Sequence, residues 1–133
     1  MSSRLDRWRA RASGDRPRLL VCRGGDCGSR RKHPGVDHLA QLARCRERLE
    51  GRVEVRATKC LDACEHSNVL VVVPAATARR AGIRTLWFGG VLDARTTDAV
   101  LEVALGTPGA DADPVVRRHR FAPSARNLRH VDP

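Results

Sequence analysis

The chain has 133 residues, of which 41% are hydrophobic and only 3% aromatic, with no tyrosine, so its core is expected to consist of Val, Leu and Ala. Net charge is +10, and all but two of the 25 basic residues are arginine. No run approaches the ~18 apolar residues of a membrane span, and the opening MSSRLDRWRARASGDRPR lacks the apolar stretch of a secretory signal. The charge divides as about +3, +5 and +2 over residues 1–16, 17–105 and 106–133. Such a spread, without aromatic stacking platforms, argues against specific nucleic-acid binding.

Residues 1–16 read as a basic arm. Arg18–Val21 then predicts a short buried strand that ends at Cys22, followed by a glycine- and arginine-rich loop to Gly35. Val36–Glu50 predicts a helix, with Leu39, Leu42 and Leu49 on its apolar stripe, Cys45 at the stripe's edge as a small core residue and Gly51 as the stop. Val53–Val55 predicts a second strand leading to Cys60. The β-branched run Asn68–Val73 suits a central strand buried on both faces, ended by Pro74. Residues 75–84 read as a connection, Thr85–Phe88 as a fourth strand, and Asp93–Leu105 as a second helix closed by Gly106. Beyond it, four prolines and mixed charge predict a tail that is flexible or wraps loosely on the domain. The expected organisation is an arm (1–16), one α/β domain (17–105) and a tail (106–133). The order of elements is β-α-β-β-β-α, with a four-stranded mixed sheet.

Four of the five cysteines form two pairs, Cys22-Arg-Gly-Gly-Asp-Cys27 and Cys60-Leu-Asp-Ala-Cys64, separated by 32 residues. A right-handed strand–helix–strand unit leaves its two strands parallel. Their C-terminal ends then share one edge of the sheet, so both pairs are expected to meet there. Converging thiolates suit an iron–sulfur cluster or a structural zinc. Neither pair has the C-x2-C spacing favoured by zinc knuckles, nor the C-x-x-C of a thioredoxin-type redox site. A reducing compartment, the cytoplasm, is the expected location, which weakens a structural-disulfide reading. Gly24, Gly25 and Gly28 suit a loop that wraps a cluster and aims N–H groups at sulfur. Arg23, Arg30, Arg31, Lys32 and Lys59 could offset cluster charge and attract an acidic partner.

His33, His38 and His66 raise the question of mixed Cys/His ligation, which four paired cysteines make unnecessary. Asp26 and Asp62 read as loop-shaping residues. No nucleophile–base pair, phosphate-cradling loop or paired-carboxylate site is visible, so independent catalysis is not expected.

The two pairs, the segments CRGGDCGSRRKHPGVDHLAQL and ATKCLDACEHSNVLVVVP, and the strand exit Trp87-Phe88-Gly89 resemble the thioredoxin-like 2Fe–2S ferredoxins. The likeness covers about residues 17–105. The first pair's spacing is similar to that of the thioredoxin-fold iron–sulfur subunit of respiratory complex I, although that subunit's extra helical domain has no counterpart here. Many stand-alone ferredoxins of this kind space the first pair more widely. The resemblance implies a 2Fe–2S cluster held by Cys22, Cys27, Cys60 and Cys64, low-potential one-electron transfer, and a redox partner protein. It leaves room for a homodimer. A zinc-stabilised interaction module and a thiol redox sensor remain the alternatives.

Overall fold

A computed structural model of the chain describes residues 15–131. The basic arm expected over 1–16 lies outside the described residues except for its last two positions. The elements in chain order are β1 (Arg18–Cys22), α1 (His38–Leu49), β2 (Glu54–Thr58), a 3-10 turn (Cys64–His66), β3 (Leu70–Val73), α2 (Ala76–Arg80), β4 (Leu86–Phe88), α3 (Ala94–Ala104), a second 3-10 turn (Ala110–Ala112), α4 (Pro114–His119), β5 (Arg120–Phe121) and α5 (Ala125–Leu128). They form a mixed α/β structure on one sheet of order β2-β1-β3-β4-β5. The β1–β2 pair is parallel, with Arg18 opposite Glu54 and Cys22 opposite Thr58. The other three pairings, β1–β3, β3–β4 and β4–β5, are antiparallel.

The central strands β1 and β3 are buried on both faces, as the unbroken apolar run of β3 requires. Leu19, Val21, Leu70, Val72 and Phe88 pack on one face against Cys45 and Leu49 of α1 and Val100 and Leu101 of α3. Leu20, Cys22, Val71, Val73 and Trp87 pack on the other against Cys27, Leu61, Ala63 and Val131. The period-2 alternation of β3 thus feeds two separate cores. Both long helices start on an aspartate cap: Asp37 accepts from the Ala40 N–H at 2.9 Å and Asp93 from the Thr96 N–H at 2.7 Å.

Four expectations change. The sheet has five strands, not four, because Arg120–Phe121 adds to the edge of β4 with Phe121 opposite Trp87. A two-residue strand is too short to show alternation in sequence. The α1 stripe is rotated: its buried residues are His38, Gln41, Cys45 and Leu49, and Leu39 is 73% exposed. Two polar residues take inward positions because each finds buried partners. Gln41 donates to the Val91 carbonyl at 2.8 Å and the Thr97 hydroxyl at 3.1 Å, and His38 meets Asn68 at 2.9 Å. Residues 75–84, read as a plain connection, contain α2. The segment after Thr107, read as loose, forms two helices and β5, with Val116 and Val131 buried.

Candidate functional site

The parallel pairing of β1 and β2 brings the cysteines to one sheet edge. Cys22 is the last residue of β1, and Cys60 follows β2 by two positions. The ladder runs one step further, with the Arg23 N–H on the Thr58 carbonyl at 2.9 Å. The two loops then touch. A Cβ at Gly24 would lie 2.0 Å from the Cys60 backbone nitrogen, and one at Gly25 would lie 2.6 Å from the Cys64 Sγ and 3.2 Å from the Cys60 Sγ. Gly25 also has φ +58 and Gly28 φ +75, conformations that side chains resist. The first loop crosses the second on bare backbone.

The thiols stand as two pairs. Cys60 and Cys64 have their Sγ atoms 3.5 Å apart, and both side chains are partly exposed. Cys22 and Cys27 are each only 2% exposed. The Cys27 thiol pulls the neighbouring Cys22 down to about 6, and the same contact, with burial, pushes Cys27 up. Backbone donors already point at sulfur: the Val69 N–H reaches the Cys27 Sγ at 3.3 Å, and the Asp62 N–H reaches the Cys60 Sγ at 3.4 Å. Thr58, opposite Cys22 in register, has a buried hydroxyl that helps draw the Cys22 thiol down. Among the described residues, no group of three or more His, Cys, Asp or Glu side chains closes on a single metal ion.

A buried polar network fixes the first loop. Arg23 donates to the Cys22 carbonyl at 2.9 Å, to the His38 carbonyl at 3.2 Å and to the Gln41 Oε1 at 2.7 Å. Asn68 accepts from the Gly28 N–H at 2.9 Å. None of this was visible in the sequence, where Arg23 reads as rim charge; Arg30, Arg31 and Lys59 are indeed exposed. Lys32 bridges the loops, with its Nζ 2.9 Å from the Cys64 carbonyl and 3.2 Å from Asp26.

The histidines have partners of their own. His33 meets the Ser67 hydroxyl at 2.9 Å. His38 uses one ring nitrogen on Asn68 and the other on the Ser29 carbonyl. His66 stacks on Phe121, with centroids 3.9 Å apart. Asp62, with φ +58, pairs with His130 at 2.6 Å. Cys45 is fully buried in the α1–α3 core, where burial pushes its thiol up to about 11.

No family model, curated protein or solved structure matches this chain. Among the described residues, no helix is long and apolar enough to cross a membrane.

Proposed function

We propose that the chain is a thioredoxin-like ferredoxin that binds a 2Fe–2S cluster through Cys22, Cys27, Cys60 and Cys64 and exchanges single electrons with an acidic partner protein. The observation that carries this reading is the contact of the two loops on the glycine backbone, with two thiol pairs beside it. A binuclear cluster takes two cysteines per iron, so paired thiols suit it better than a four-sulfur cage around one ion. The donor set fits in other respects. Two N–H groups already face sulfur, and the buried Thr58 hydroxyl sits opposite Cys22 and acts on its thiol. Such donors stabilise charge on sulfur and tune potential.

The fold class is supported by the order β2-β1-β3-β4, in which β3 alone runs antiparallel, and by the long helices after β1 and β4. β5 is an addition to that plan. When bound, the cluster would supply the one-electron couple. The protein's own residues would hold it, exclude water from the Cys22–Cys27 side and present the partly exposed Cys60–Cys64 side to a partner. Exposed Arg30, Arg31 and Lys59 would favour an acidic docking surface. A reducing compartment such as the cytoplasm suits five unpaired cysteines.

The 3.5 Å separation of the Cys60 and Cys64 sulfurs favours a second reading, a reversible disulfide in a thiol redox sensor. One experiment separates the readings. Protein purified without oxygen should be red-brown and carry about two irons and two sulfides per chain. A colourless sample that holds zinc or no metal, and takes up no cluster on anaerobic reconstitution, overturns the ferredoxin reading. Reversible loss of two thiols in that sample would then favour the sensor.

A further inference from the structure

The second cysteine loop is held by a part of the chain far away in sequence. Asn127 of α5 is 3% exposed, and its amide is fully used. The Nδ2 donates to the Leu61 carbonyl at 3.1 Å and the Asp62 carbonyl at 2.9 Å, and the Oδ1 accepts from the Ser124 N–H at 2.8 Å. Three residues on, the His130 ring meets the Asp62 carboxylate at 2.6 Å. Val131 then buries against the cluster that contains Leu61, Ala63 and Cys27.

These contacts converge on one strained residue. Asp62 is the single non-glycine residue with positive φ among the described residues. Such a conformation is sparsely populated for residues with a side chain and persists where its surroundings hold it. Here it has a consequence, because the Asp62 N–H is the group that faces the Cys60 Sγ. The carbonyls on either side of that turn, Leu61 and Asp62, are the two that Asn127 holds.

We infer that Asn127 is a positioning residue for the loop Cys60–Cys64, and that residues 124–131 form a latch that keeps the Asp62 N–H on the Cys60 sulfur. Its bearing on a cluster rests on the proposed function; the latch itself does not.

The test uses the full chain, metal-free and reduced. In native-state hydrogen exchange, amides of residues 61–64 and 125–131 should open as one unit, at lower free energy than those of β1 and β3. The variant Asn127→Asp keeps the acceptor for the Ser124 N–H but sets a carboxylate against two carbonyls. It should speed exchange at Asp62 and alkylation of Cys60 and Cys64 by iodoacetamide about tenfold, leaving Cys22, Cys27 and Cys45 unchanged. Equal acceleration at all five cysteines would reduce Asn127 to a general stabiliser and overturn the latch. So would unchanged rates in a folded variant. If Asn127→Asp does not fold, His130→Gln, at an exposed position, should still raise Asp62 exchange about threefold; no rise there overturns the inference. All these readouts are taken without metal, so failure of the latch and failure of the ferredoxin reading are separate results.

Discussion

The two cysteine loops meet at one edge of the sheet but are built in different ways. Cys22–Cys27 is sunk into the protein. Its sulfurs are buried, its Arg23 is bonded into α1, and its Gly28 is held by an asparagine from the mouth of β3. Cys60–Cys64 lies nearer the surface, carries a non-glycine residue in a left-handed conformation, and depends on Lys32 and the C-terminal segment for its fastening. The first loop is wired into the core; the second is fastened by contacts nearer the surface. A site with one anchored side and one adjustable side can keep a fixed frame while one side faces a partner.

Removing one sulfur from each loop is expected to have the largest effect. On the proposed ferredoxin reading, Cys27→Ser and Cys64→Ser should both abolish iron and sulfide uptake on anaerobic reconstitution. In the metal-free chain their stabilities should differ. Cys27→Ser replaces a fully packed sulfur in the buried cluster with a smaller, more polar hydroxyl and should cost about 1–3 kcal/mol in urea unfolding, and Cys64→Ser less than about 0.5 kcal/mol. Equal costs would end the distinction between the loops.

Gly24→Ala tests whether the loops are in contact. Its Cβ would fall 2.0 Å from the Cys60 nitrogen, so the variant should lose about 3 kcal/mol of stability. A well-folded variant that still assembles a cluster would show that the loops can part freely. Gln41→Met tests the anchoring of the first loop. It leaves the Arg23 guanidinium, the Val91 carbonyl and the Thr97 hydroxyl short of a partner and should cost about 1–3 kcal/mol. Alkylation of Cys22 should rise with it, while that of Cys60 stays the same.

The smallest effect is expected away from both loops. Arg44 bonds Asp98 through two 2.6 Å contacts and holds its carboxyl below the usual 3.8. A carboxyl with a lowered folded-state pKa adds stability that is full above the unfolded value and is lost as pH falls through the folded one. Asp98→Asn should therefore flatten the acid limb of the stability curve and cost less than about 1 kcal/mol at neutral pH. Both cysteine loops should react as before.

Much of this arrangement was legible in the residues. The run Asn68–Val73 announced a central strand, because only a strand covered on both faces tolerates four consecutive buried β-branched or leucine residues. The spacing of Cys22 and Cys60 around one helix announced that the pairs share an edge. The facing of α1 was not legible. Leucine periodicity favoured Leu39, but the helix turns on the partners that His38 finds just before β3 and Gln41 finds in α3, and those partners are distant in sequence. The tail carried one unread signal. Ser124 and Asn127, three apart, form a capping box that starts α5.

By itself the sequence determined local matters: strand and helix identity, the glycines a tight loop needs, and cysteine pairs placed where strands end. These follow from side-chain shape and short-range periodicity, which each segment carries with it. The tertiary structure decided which polar groups go inside, which loop is anchored, and that residues 124–131 fasten the second one. Those outcomes depend on pairing buried donors with acceptors from remote segments, and no local pattern encodes such a pairing.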